Sequence, residues 1–112
     1  MSERVYEVFW SDIAIRDLDQ IIGFVEREAP LAARRLFDRI VERARTLERL
    51  PWRGRVVPEL ARFDITPYRE LIIAPFRLIY RIRENSVLVV AVFDGRRNLE
   101  DVLLARIVRA DP

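Results

Sequence analysis

Cysteine, histidine and lysine are all missing from this 112-residue chain. Without cysteine there is no disulfide, no thiolate nucleophile and no thiolate-bound metal. Without histidine the usual general base near neutral pH is gone, and with it the commonest transition-metal ligand. Chemistry would have to run on carboxylates, tyrosine, serine, threonine and arginine, and no cofactor or metal is expected. Long apolar runs are lacking too: none nears the roughly 20 residues of a membrane span. The opening Met1-Ser2-Glu3-Arg4-Val5 has no basic stretch leading into an apolar one, so no secretory signal is expected. The expectation is a cytoplasmic protein.

All 20 basic residues are therefore arginine, set against 18 acidic ones. A GC-rich coding bias would produce this by itself. A surface suited to phosphate or carboxylate recognition would also produce it, because the planar guanidinium fork outperforms an ammonium there. The net charge is only +2, so a nucleic-acid binder would have to concentrate its positive charge locally. Hydrophobic residues make up 51%, enough for one core at this length, and residues 1–112 are read as a single domain.

Val5 to Trp10, rich in aromatic and β-branched types, predicts a short strand. Ser11 or Asp12 offers an N-cap, and Ala14, Leu18, Ile21, Ile22 and Val25 then recur at helical spacing. Gly23 either weakens this helix or permits close packing. Pro30 suits the first turn of a second helix, with Leu36, Phe37, Ile40, Ala44, Leu47 and Leu50 on one side. Its other side is charged, with pairs such as Arg35 and Asp38 reading as a solvated face. Pro51 stops it. Residues 51–67 read as a loop, and the period then switches to two. Tyr68 to Ile73, Phe76 to Arg83 and Val87 to Phe93 predict three strands, with turns at Ala74-Pro75 and Glu84-Asn85. Asn98 caps a final helix with Leu99, Leu103 and Ile107 along one stripe. The order β-α-α-β-β-β-α implies an α+β fold, an antiparallel sheet with an N-terminal helical hairpin on one face.

Five segments in this order resemble one family. Leu50-Pro51-Trp52-Arg53-Gly54-Arg55 running to Pro58-Glu59 is similar to a Leu-Pro, Gly-Arg, Pro-Glu loop, and Ala32 follows Pro30 at the start of the second helix. Tyr68-Arg69-Glu70-Leu71 resembles a Tyr-Arg-Glu strand opening. Phe76-Arg77-Leu78-Ile79-Tyr80-Arg81 is similar to an aromatic-Arg-apolar-apolar-Tyr-Arg strand, and Asp94-Gly95-Arg96-Arg97 to a Gly-Arg-Arg close. Together they resemble the RelE/ParE toxins of type II toxin–antitoxin systems, over about residues 5 to 105.

The resemblance implies a toxin neutralised by a cognate antitoxin, whose tail supplies a helix and a strand to apolar grooves and a sheet edge. It also implies one of two targets. RelE-like members cut mRNA on the ribosome, whereas ParE-like members poison DNA gyrase. By that resemblance Arg69, Arg77 and Arg97 stand at catalytic positions of the ribonucleases, but Leu71 and Leu103 replace a lysine and a stacking tyrosine. Arginine stays protonated at accessible pH and clamps charge better than it moves protons. Glu59 or Glu70 would have to serve as the base. The long helices and the Gly-Arg loop resemble the ParE branch, so gyrase is the expected target, contacted through Arg77, Arg81, Arg96 and Arg97. The plainer alternative is a domesticated module that binds a partner and harms nothing.

These residues also have purely structural readings. Arg77, Arg81 and Arg83 alternate along a strand and can face solvent, Arg96 and Arg97 can cap a sheet end, and Arg69 can pair with a carboxylate. Trp10 and Trp52 read as core or loop anchors, and Tyr68 and Tyr80 as half-buried.

Overall fold

In the computed structural model, which describes residues 4–65 and 67–103, β1 (Glu7–Trp10) leads directly into α1 (Asp12–Glu26). The Ser11 hydroxyl accepts the Ala14 N–H at 3.1 Å, and Asp12 places negative charge on the first turn, where the helix dipole favours it. Pro30 opens α2 (Pro30–Arg45) at a position whose N–H has no intrahelical partner, and Arg43 and Arg45 close it at the end that favours cations. A 3₁₀ turn, Thr46–Glu48, follows before Pro51 is reached. Among the charged pairs of α2, Asp38 is met by Arg34 at 3.7 Å rather than by Arg35.

Among the described residues the sheet has five strands in the order β1-β5-β4-β3-β2. Its centre is the expected meander of β3 (Tyr68–Ile73), β4 (Phe76–Ile82) and β5 (Ser86–Asp94), all antiparallel. Two features depart from expectation. β1 pairs with β5 in parallel, so the sheet is mixed. The hairpin rule governs only consecutive strands, and β1 lies beside β5, the last strand among the described residues, with the two long helices and three strands between them in the chain. The stretch read as a plain loop holds β2 (Arg55–Val56), paired to Arg69 and Glu70, and the short helix α3 (Pro58–Ala61). Both are too short to show a period.

One face of the sheet packs on α1 and α2 through Ala14, Leu18, Ile40, Ala44, Leu47, Leu71, Leu78, Tyr80 and Val89. The other face is not bare. Val57, Ile79, Ala91, Phe93, Leu99 and Val102 form a second apolar cluster beneath α3 and the helical residues 99–103. Val90 is an extra residue in β5 between the Ile79–Ala91 and Tyr80–Val89 pairs, and this bulge lets Val89 and Val92 both face the helices.

The helices also guard open strand edges. Asp17 of α1 accepts the Val92 N–H beyond the end of β1 at 3.0 Å. Arg39 of α2 donates to the Ala74 carbonyl beyond β2 at 2.7 Å.

Several details correct the expected faces. Phe37 and Leu50 lie at the surface, and Val102 replaces Leu103 on the buried stripe of the last segment. Ile107 lies outside the described residues. A side chain at Gly23 would meet nothing within 4 Å, so close packing does not explain that glycine. Among the described residues, no helix is long and apolar enough to cross a membrane.

Candidate functional site

The geometry of β3 and β4 places the candidate arginines. The register pairs Arg69 with Tyr80, and Tyr80 belongs to the helix-facing cluster. Arg77 pairs with Ile72 on the opposite face, beside Glu70 and Ile79. Arg69 and Arg77 therefore project to opposite sides of the sheet. Arg69 donates to the Gly54 carbonyl at 2.7 Å and lies 5.1 Å from the Trp52 ring, so its partners are a carbonyl and an indole rather than a carboxylate. Trp52 is exposed and anchors no core, while Trp10 is half-buried against the helix-facing cluster. Arg81 lies 5.7 Å from the Tyr68 ring near the same end of the sheet as Arg69.

Tyr80, expected to be half-buried, is wholly buried. Its hydroxyl donates to the Pro51 carbonyl at 2.7 Å and accepts the Gly54 N–H at 3.0 Å. A Cβ at Gly54 would fall 2.5 Å from that hydroxyl and 2.6 Å from the Glu70 carbonyl, so only glycine fits the crossing. Burial pushes the Tyr80 hydroxyl above its ordinary pKa, which leaves it a hydrogen-bonding group rather than a base.

Arg77 does not face solvent: its side chain is 8% exposed and fully engaged. Nη1 and Nη2 each donate at 2.8 Å to a different oxygen of Glu59, while Nε and Nη2 reach Glu70 Oε1 at 2.8 and 2.7 Å. Glu70 is buried and also receives Arg55. Glu59 Oε2 additionally accepts the Leu99 N–H at 3.0 Å. One network thus joins β2, α3, β3, β4 and the start of the last helical segment. The Arg77 guanidinium holds Glu59 down to about 2, far below the ordinary carboxylate range, assisted by the Leu99 N–H and opposed by burial. Glu59 is therefore a fixed anion and a poor general base, contrary to the role suggested for it above. The sequence signal for this network was present in Pro58-Glu59 and Tyr68-Arg69-Glu70, but cross-strand pairing and the α3 fold were needed to join them.

Around this network lies an open cleft lined by Arg55, Arg62, Arg96, Asn98 and Glu100, with Phe76 among its apolar residues. Arg96 and Arg97 follow the β5 turn and are exposed. Arg96 pairs with Asp94 at 2.6 Å, and Arg77 approaches the Arg97 carbonyl at 3.5 Å. The structure thus gathers Arg77, Arg96 and Arg97 at one corner and leaves Arg69 and Arg81 elsewhere. A second groove shares Arg96 and Phe76 with the first and runs along α1 past Ile21, Phe24 and Val25. Among the described residues no group of three or more metal-binding side chains gathers. The corner can present fixed positive charge beside an apolar groove.

The sequence model described as the ParE toxin of type II toxin–antitoxin system, parDE, matches residues 8–99. No curated protein matches the chain in sequence. Among solved structures, the chromosomal ParDE system of Pseudomonas aeruginosa aligns with TM-score 0.66 at 20% identity, covering 80% of this chain and 96% of that one. The toxin–antitoxin complex RelBE2 of Mycobacterium tuberculosis aligns with TM-score 0.59 at 25% identity, covering 83% and 94%. The YoeB/ParE toxin of Agrobacterium tumefaciens aligns with TM-score 0.54 at 19% identity, covering 79% and 96%. With a strand, a helical hairpin and a meander in the required order and the family match spanning most of the chain, this protein belongs to the ParE toxin family of type II toxin–antitoxin systems.

Proposed function

We propose that the chain, acting as one toxin domain in the cytoplasm, arrests growth by binding and poisoning DNA gyrase without itself catalysing a reaction. The observation that carries this reading is the state of the cleft. Its buried arginine is saturated by two carboxylates, and the nearest candidate base, Glu59, is held as an anion. Arg69 points to the opposite face from Arg77, and Leu71 is buried in the helix-facing core. Fixed charge without a proton carrier suits binding better than strand cleavage. In this reading Arg96 and Arg97 present charge to the target, Arg77 holds the corner together, and Arg81 extends the basic surface along the sheet.

The chain is neutralised by a cognate antitoxin. Family membership supports this, as do the solved ParDE system and RelBE2 complex to which the fold is similar. Phe24 and Leu31 are each 75% exposed near the tip of the helical hairpin, as a surface meant to be covered would be. A partner with an amphipathic, acidic segment fits the arginine-rich rim.

Induction of the chain in bacteria is expected to stop division and raise the DNA-damage response while protein synthesis continues, with rescue by the antitoxin. Immediate translation arrest, with message cleavage that disappears in Arg97→Ala, would establish the ribosomal alternative instead. Full growth with no damage response, while the partner still binds, would mark a domesticated module.

A further inference from the structure

We propose that the seam between α2 and the open part of the β3 edge is a docking surface for an extended, acidic segment of a protein partner, with Trp52 as its anchor. The seam lies on the helix side of the sheet, apart from the Arg77 corner, and rests on surface chemistry alone, not on the gyrase reading.

Arg39 and Arg43 stand four residues apart on one face of α2. Arg39 donates to the Ala74 carbonyl at 2.7 Å and Arg43 to the Ile72 carbonyl at 3.4 Å, both beyond the β3 residues that β2 covers. Past the end of α2, Arg53 donates to the Thr46 hydroxyl at 2.9 Å and Arg69 to the Gly54 carbonyl at 2.7 Å. These guanidiniums all rest on neutral acceptors. Among the described residues none of them meets a carboxylate, whereas Arg34 and Arg45 on the same helix pair with Asp38 and Glu42. Arg43 Nε and Arg69 Nε are shielded from solvent and have no hydrogen-bond partner among the described residues. A row of cations without counter-charge favours an anionic partner.

The spacing fits a polypeptide. Four residues of a helix rise about 6 Å, close to the roughly 6.6 Å between alternate residues of an extended chain. A segment with a carboxylate at every second position therefore meets Arg39 and Arg43 in register and continues toward Arg53. The end of the seam is apolar as well as charged. Leu50 and Trp52 are each 59% exposed, and the Arg69 guanidinium backs the Trp52 ring at 5.1 Å. That contact steadies the indole as a flat anchor for an apolar side chain. A nucleic-acid strand fits less well. Asp38 and Glu42 stand on the same helix as the row and repel an unbroken line of phosphates, and Leu50 gives a sugar–phosphate chain no polar contact.

The test titrates the whole chain with the blocked peptide Ac-Glu-Leu-Glu-Leu-Glu-NH2 at low, constant ionic strength, following the Trp52 indole N–H and the arginine Nε–H signals by NMR. Saturable binding is expected, with shifts at Trp52, Arg43 and Arg69. Arg39→Gln with Arg43→Gln should weaken it at least about fivefold, the scale of two exposed ion pairs. Trp52→Ala trims an exposed side chain and should weaken it as well. Arg34→Gln with Arg45→Gln removes the same charge from the same helix and should change affinity by less than about twofold. Equal losses in the two double variants would reduce the effect to overall charge and overturn the seam. Shifts confined to Arg96 and Arg97, or tighter binding of a thymidylate oligomer of matched charge, would overturn it too. If Arg39→Gln with Arg43→Gln does not fold, Trp52→Ala and the shuffled peptide Ac-Glu-Glu-Glu-Leu-Leu-NH2 decide. Weaker binding in both supports the seam, and unchanged affinity in either overturns it. Neither gyrase nor antitoxin enters this titration, so its failure and the failure of the proposed function are separate results.

Discussion

At the scale of single residues, the protein invests buried polarity in two places, and each makes a distinct prediction. Glu59 is depressed to about 2 from an ordinary 4.5 by the Arg77 guanidinium. A group lowered on folding contributes stability that is complete above its unfolded pKa and is lost as pH falls through its folded one. Urea unfolding of wild type against Glu59→Gln should therefore show a gap that is full above about pH 5 and closes between 4.5 and 2. A gap independent of pH would mean that the charge on Glu59 contributes nothing. Tyr80 ties β4 to Pro51 and Gly54 through one hydroxyl. Tyr80→Phe strands a carbonyl and an N–H in a buried place and should cost about 1–3 kcal/mol by denaturant titration, with the fold retained.

Those residues also show where the sequence was legible. Tyr80 and Arg77 both stood out within the strand motif, but their burial did not, because alternation alone assigns a face and not its covering. A strand arginine reads as solvent-facing by default. Here two carboxylates from other elements make its burial tolerable, and no local pattern announces a partner 18 positions upstream.

At the scale of elements, the strong periodicities carried the reading. Both long helices, the three meander strands, the Ser11 cap and the Asn98 cap lie where spacing and capping chemistry put them. Ser11→Ala removes the acceptor for the Ala14 N–H and should lower stability by about 1 kcal/mol in thermal or urea unfolding. An unchanged midpoint would mean that water replaces the cap without loss. What was missed is short or non-local. β2 spans two residues and α3 four, below any period, and the parallel seating of β1 depends on a partner nearly 80 residues away. The second apolar cluster follows from those omissions, since α3 covers the face that a bare meander would leave open.

At the scale of the whole molecule, the helices and the sheet divide the work. The hairpin covers the face that carries the larger apolar cluster and exposes Phe24 and Leu31 near its tip. On the other face the charge network fixes β2, α3 and the last helical segment around Arg77, and Arg96 and Arg97 stand at its rim. The account predicts a binding toxin whose rim charges matter and whose chemistry does not. Its most direct test is DNA supercoiling by purified gyrase with the toxin added. Inhibition that antitoxin relieves and that Arg96→Ala with Arg97→Ala weakens at least about tenfold is the predicted result. Unimpaired supercoiling at micromolar folded toxin would contradict it.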